Sequence, residues 1–583
     1  MKTTYIKHYL AAAVMGCCLS ASFTACSDNY MEELNTDQTK GASINPNAQL
    51  TTALLQTYGD FGLMDTYRSY ITGFTQHFAG GWNVSNYGGS VHAADDQMRL
   101  IWDQYYAVAI KNIVDAIANS ADKPNVNAVL RIHRVYLMSV LTDTYGDVPC
   151  SEAGQGFISG VTTPKYDTQE DIYNFFFTEL AACADQLGTG NDNITGDVTS
   201  FGGDVNQWRK YANSLRMRYA MRISDVNPAK AKDEFEKACK ANGGYISSAA
   251  DDAYVKYTDG KFTLYDGSRD LDFRVNALGE ILYGQDPTSP TFVCSTFYNI
   301  MKDSNDPRLT RICRHYINTK RAETAPDREW NVDLTDEVLA YLQRAGESVQ
   351  PCNPGAAWWN NWVNAPALSE IPTLDKLVKN YPEAGFDGSN YPARMMRPFL
   401  NIDFEMPDRP GMLMSYAEVE FLLAEAKQKG WNVDGTIEQH FRQGVTASMK
   451  MLNDYYLQGA EKISDAEIST FTDGIVASGA LTANAREAIN TQAWILHMMN
   501  PAEAWANLRR SDYPVILDRT KLDKFESDFT YDDNNLQTPV RLRYPILEAK
   551  YNSVNYKAAI DRMGGNDDWH HRLWWDVKDI NVK

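Results

Sequence analysis

Histidine and cysteine are both scarce in this chain, nine of each in 583 residues. No two cysteines stand as CxxC, and His and Cys never cluster at ligand spacing, so no zinc site is expected. His570 and His571 are adjacent, and neighbours on a regular element point apart. Basic charge is also short. Lys+Arg is 55 against Asp+Glu 75, a net charge of −20 that repels phosphate backbones and excludes bulk nucleic-acid binding. No apolar run approaches the ~20 residues of a membrane-spanning helix. The catalytic signatures G-x-S-x-G, the phosphate loop and H-E-x-x-H are missing, and no cofactor is expected. Carboxylate pairs such as Glu418/Glu420 and Asp95/Asp96 read as solvated acids of an acidic chain. Asp532-Asp533-Asn534-Asn535 lacks the glycine and terminal Glu of a calcium loop. What remains is 44% hydrophobic and 22% charged, the make-up of a globular protein with a large core.

The first residues read as an address. Lys2 and Lys7 precede a mostly apolar run of fourteen residues, Leu10 to Phe23, too short to span a bilayer and right for a signal peptide. Phe23-Thr24-Ala25 before Cys26 resembles a lipobox, with Phe where Leu is usual. Cleavage after residue 25 leaves Cys26 for acylation; it removes two lysines and no acid, so −20 becomes −22. Ser27-Asp28-Asn29 and Glu32-Glu33 resemble a surface-export signal of Bacteroidota lipoproteins. Residues 26–48 are polar and read as a tether. The six cysteines beyond Cys26 are scattered and read as buried thiols, with disulfides as the alternative in an oxidising compartment.

Apolar residues at 3–4 spacing predict helices over 124–146, 167–187, 204–224 and 411–429. Asp167, three before Glu170, predicts a capping box, and Asn500-Pro501-Ala502-Glu503 a helix start. Trp102, Trp208, Trp494 and Trp505 fall on apolar helical faces and read as core. Long Gly-, Asn- and Pro-rich stretches (76–96, 255–300, 315–410) read as functional excursions. The excess is in aromatics: 13 Trp, 33 Tyr and 22 Phe. A sugar ring offers C–H faces that stack on indole and phenol, and hydroxyls that suit Asn, Asp and Arg. QHFAGGWNVSNYGG (76–89) and PGAAWWNNW (354–362) place rings among glycines and asparagines, where no helix buries them. Candidate ligand residues are therefore Trp82, Asn83, Tyr87, Trp358, Trp359 and Trp362.

Eight segments in order resemble the SusD/RagB-like outer-membrane nutrient-binding lipoproteins. They are TDTYGDVPCSEA (142–153), PKYDTQE (164–170), WRKYANSLRMR (208–218), NDPR (305–308), AEVEFLLAEA (417–426), AWANLRRSDYP (504–514), RYPILE (543–548) and LWWD (573–576). Cys150 stands where the family has Tyr. The resemblance implies one mostly α domain over 49–583, with tetratricopeptide-like helix pairs carrying long loop-rich excursions. It implies a non-catalytic lid on a TonB-dependent, SusC-like barrel, lipid-anchored at the cell surface, that captures a nutrient, most often an oligosaccharide. None of the eight segments is a ligand motif; Arg509 and Arg510 are expected in ion pairs. A peptide-capturing lid and a surface glycoside hydrolase, which needs two convergent carboxylates, are the alternatives.

Overall fold

A proline or a side-chain cap starts most of the long helices, and those starts set the frame. In the computed structural model the described residues are 44–80, 98–259, 273–283, 291–318, 331–333, 336, 339–340, 350–354, 397–521, 537–578 and 580. The leader, Cys26, most of the tether and the Asp532–Asn535 run lie outside them. Helix α1 (Pro46–Gly59) comes first. Helices α2 (Pro124–Tyr145), α3 (Gln169–Gln186), α4 (Val205–Arg222) and α5 (Pro228–Lys240) then pack each on the next. A second array follows: α7 (Tyr416–Gln428), α8 (Ile437–Tyr455), α9 (Asp465–Ala477), α10 (Ala480–Leu496) and α11 (Pro501–Ser511). Between the two arrays in sequence lies α6 (Ser295–Asp303). Helix α4 packs on α7 and α11 on α2, so residues Pro46–Lys583 form one unit, mostly helical and built from helix pairs as expected.

The caps explain the boundaries. Asp204 accepts from the Asn206 and Gln207 N–H groups at the start of α4, and Asn500 from Glu503 N–H at the start of α11, with Pro501 at the first helical position. Two expectations are corrected. Helix α3 is capped by Thr168, whose hydroxyl accepts from Asp171 N–H. Asp167 instead accepts from the Cys150 and Ser151 N–H groups and pins the preceding loop. The 411–429 helix is also shorter: Gly411–Met414 is a strand and Ser415 caps α7. That strand is buried along its whole length, so its apolar run is a sheet signal.

The strands are short. β1 (Phe78–Gly80), β3 (Thr291–Val293), β7 (Phe399–Leu400) and β4 (Cys313–Arg314) form one sheet in the order β1-β3-β7-β4. β2 (Ala253–Val255) pairs with β8 (Gly411–Met414), and β5 (Tyr316–Asn318) with β6 (Asn331–Asp333).

The core confirms the structural tryptophans: Trp102, Trp208, Trp494 and Trp505 are all buried. Trp575, from the last segment of the chain, is buried too and donates to Asp143 on α2 at 2.8 Å, beside the Tyr173 hydroxyl at 2.6 Å. Glu418 and Glu420 are not the solvated acids expected. Both are buried on α7, Glu418 against Arg218 (2.6 and 2.7 Å) and Glu420 against His440 (2.6 Å). Arg510 makes its expected ion pair, a fork to Glu425 with both bonds at 2.7 Å. Among the described residues Arg509 makes none: its guanidinium lies 3.7 Å from the Trp505 ring centroid and donates to the Trp505 and Val540 carbonyls. Burial pushes that group down to about 9, with nearby Asp143 opposing. The six cysteines beyond Cys26 carry thiols, and burial pushes Cys150, Cys183, Cys239 and Cys294 up to about 12, which makes them poor nucleophiles.

Candidate functional site

All six candidate ligand residues fall outside the described residues: Trp82, Asn83 and Tyr87 in 81–97, and Trp358, Trp359 and Trp362 in 355–396. What the structure describes is where the chain enters and leaves those stretches. Strand β1 ends at Gly80, directly before the first, and pairs antiparallel with β3: Phe78 opposes Val293 and Gly80 opposes Thr291. The backbone of Cys352, three residues before Gly355, forms an isolated parallel β-bridge with that of Cys294, the residue after β3. Ser295 N–H donates to the Cys352 carbonyl at 2.6 Å, and Ser295 Oγ to Asn353 Oδ1 at 2.9 Å. After the second stretch the chain returns through β7, whose Phe399 opposes Phe292 of β3 with ring centroids 5.1 Å apart. The roots of both aromatic stretches therefore converge on β3, although they are hundreds of residues apart in sequence.

The root of the first stretch is locked from below. Gln76 sits at φ +58, a left-handed conformation unusual for a residue with a side chain, and is fully buried. Its amide clamps the 517 loop: Leu517 N–H donates to Oε1 at 2.9 Å and Nε2 donates to the Leu517 carbonyl at 2.8 Å. Thr296 Oγ1 on α6 donates to the same Oε1. His77 stacks on Trp494, centroids 4.4 Å apart, with Phe297 edge-on to both rings. His77 Nε2 lies 3.0 Å from the Trp494 carbonyl, which can only accept, so the proton sits on Nε2 and Nδ1 faces Thr75 Oγ1 at 2.9 Å. Burial pushes this imidazole down to about 3, so it stays neutral and serves as a packing piece. Sequence reasoning marked the glycines and rings of 76–89 but not this clamp; a buried Gln with a left-handed backbone leaves no periodic signal.

Two buried carboxylates of α7 are committed to cations. Burial pushes Glu418 up, but Arg218 and His497 outweigh it and hold it down to about 2. Glu425 is likewise raised by burial and held down to about 2 by Arg510 and Arg486. Burial also pushes some carboxyls up: Asp60, Asp143 and Glu405 are raised, and Asp252 is held up to about 7. Asp252 accepts from Tyr416 N–H at 2.6 Å and the Tyr455 hydroxyl at 3.0 Å, as a brace at the start of α7. A pocket of about 20 Å3 lies among Asp143, Arg218, Glu503 and Arg509, room for one water. Among the described residues no group of three or more His, Cys, Asp or Glu is placed to hold a metal ion.

Comparison with known proteins agrees with this architecture. The family model described as "Starch-binding associating with outer membrane" matches residues 37–327, and "Susd and RagB outer membrane lipoprotein" matches 386–576. A solved Bacteroidetes SusD-like protein is 39% identical, with a TM-score of 0.79 over 92% of this chain and all of its own. A solved chitin-binding protein is 30% identical, with a TM-score of 0.71 over the same shares. A SusD homologue of Bacteroides uniformis, 24% identical at TM-score 0.65 over 91% of this chain and 99% of its own, shares the fold. Among curated proteins none matches. No helix among the described residues is long and apolar enough to cross a membrane. With two matching family models over most of the chain, and relatives of this identity along its length, the chain belongs to the SusD/RagB-like family of outer-membrane lipoproteins.

Proposed function

We propose that this chain is a lipoprotein acylated at Cys26, held at the cell surface by the 26–48 tether, that captures an oligosaccharide and acts as the lid of a TonB-dependent, SusC-like barrel. The rings of Trp82, Tyr87, Trp358, Trp359 and Trp362 stack on sugar faces, and Asn83 takes hydroxyls. The observation that supports this reading is the convergence on β3: Gly80 pairs with Thr291, and the Cys352 backbone pairs with that of Cys294, so the residues flanking two ring-rich stretches meet at one strand. The 30%-identical relative described as a chitin-binding protein makes chito-oligosaccharides the first ligands to test.

A lid needs only differential affinity. Sugar held between lipoprotein and barrel favours the closed state by as much as it binds that state better. Hydrolysis would need an acid and a base converging on one cleft, and the buried carboxylates described above are spent on Arg218, Arg510 and backbone N–H groups.

The test is calorimetric titration of the acyl-free protein with chitotetraose and maltotetraose, repeated with Trp82→Ala and Trp358→Ala. Each variant is expected to bind at least tenfold more weakly at unchanged melting temperature. Unaltered affinity in both variants removes the site assignment, and sustained product release points to the hydrolase instead.

A further inference from the structure

A cleft of about 630 Å3 opens on the helical frame, between the turn that follows α6 and one face of α9. Its volume falls within the ~300–1,000 Å3 of small-molecule sites. Pro307, Phe471, Gly474 and Ile475 give it an apolar floor. Asp303, Asn305, Glu467 and Thr470 stand around that floor.

Three observations bear on what fits there. Gly474 lies within α9, where glycine is a poor helix former, and a Cβ built there meets nothing within 4 Å. The glycine leaves bare backbone in the lining. Next, Asp303, Asn305 and Thr470 make no side-chain hydrogen bond to any of the described residues and are exposed, so an amide, a hydroxyl and a carboxylate stand open in the lining. Glu467, by contrast, is committed: it closes the capping box with Ser464 and accepts from Arg311 at 2.7 Å. The α9 side is anchored, because Phe471 and its neighbour Ile468 are buried in the frame, and Arg308 lies 5.7 Å from the Phe471 ring centroid.

A lining that mixes apolar side chains with open amide, hydroxyl and carboxylate groups matches a pyranose, which is apolar on its faces and polar at its edge. An apolar helix would leave those polar groups unpaired. An anionic polymer meets Asp303 and Glu467 and a chain of net charge −20. We propose that this cleft is a second carbohydrate site, for a short neutral oligosaccharide, built from residues of the helical frame and not resting on the assignment of the aromatic stretches. Such a site would hold another segment of the same polymer on the frame.

The experiment uses chitotetraose, maltotetraose and cellotetraose on the full mature chain. A Trp82→Ala/Trp358→Ala background removes the proposed loop site, and Gly474→Leu fills the cleft from a position with free space. The double variant is expected to keep one weak, saturable site that Gly474→Leu abolishes, without lowering the melting temperature. Asn305→Ala/Thr470→Ala should weaken the same site severalfold. If wild type binds and the double variant binds nothing, the cleft proposal is overturned and the loop reading stands. If the double variant binds like wild type, the loop reading fails, and Gly474→Leu alone then decides the cleft: loss supports it, no change overturns it. Absence of any binding in wild type overturns both.

Discussion

The helical frame and the small sheet at the root of the aromatic stretches are built by different means. The frame holds itself with neighbours: each helix of α2–α5 packs on the next, and buried ion pairs such as Arg218–Glu418 and Arg510–Glu425 join the two arrays or lock one internally. The root is assembled from strands of two or three residues that meet across long loops, Phe78 with Val293 and Phe292 with Phe399. No strand of that length is stable alone. Its order comes from what lies beneath, the Gln76 clamp and the His77–Trp494 stack. Stability is therefore concentrated in the frame and, on the proposed reading, the main recognition surface at the root, with the α9 cleft a second, weaker site on the frame. The two should respond separately to mutation.

The largest effect is expected in the frame. Arg510→Ala leaves Glu425 buried without its fork and should cost ~3–5 kcal/mol in a denaturant titration, with glycan affinity unchanged where the protein stays folded. A loss under ~1 kcal/mol would show the pair to be replaceable by packing. In the other region, combined Trp82→Ala/Trp358→Ala should weaken oligosaccharide binding by ~2 kcal/mol or more, as loss of stacked anchors does, while stability moves by no more than ~0.5 kcal/mol. A drop in stability comparable to the frame variant would place those rings in the core.

Gln76→Gly probes the join. Glycine keeps the φ of +58 accessible and removes only the clamp, so the expected loss is ~1–3 kcal/mol, with glycan binding weakened as well. Unchanged binding would uncouple the root from recognition.

The smallest effects are in pH. Glu418 and Glu425 are held down to about 2, below their usual 4.5, so the stability they supply is present above that usual value and lost as pH falls towards 2. Asp252 has the opposite sign. Its carboxyl is held up to about 7, so the folded state binds more protons than the unfolded between 3.8 and that value, and its contribution falls as pH rises through this window. Asp252→Asn should flatten the stability curve between pH 5 and 8 by on the order of 1 kcal/mol. An unchanged slope would mean that other groups set it.

The same contrast decides what the sequence made legible. Frame helices announce themselves locally, through Asn500-Pro501, Asp204 and the 3–4 spacing of Trp208, Tyr211, Leu215 and Tyr219. The exceptions there are also local. Thr168 competes with its neighbour Asp167 for the cap, and Met412, three apolar residues from Ser415, mimics a helical turn while pairing in a sheet. Glu418 looked solvated because nothing in a single sequence shows that Arg218, two hundred residues away, will meet it. The sheet was illegible for the same reason: its strands are too short for a period of two to appear, and its pairings are remote. The aromatic stretches were visible by composition alone, and all six candidate residues lie outside the described residues.

The most direct test of the central claim, that rings on these two stretches grip sugar, is a crystal structure of the mature protein with chitotetraose. The account predicts pyranose rings stacked on the indoles of Trp82 and of at least one of Trp358, Trp359 and Trp362. Those indoles packed inward, with the sugar elsewhere, would contradict it.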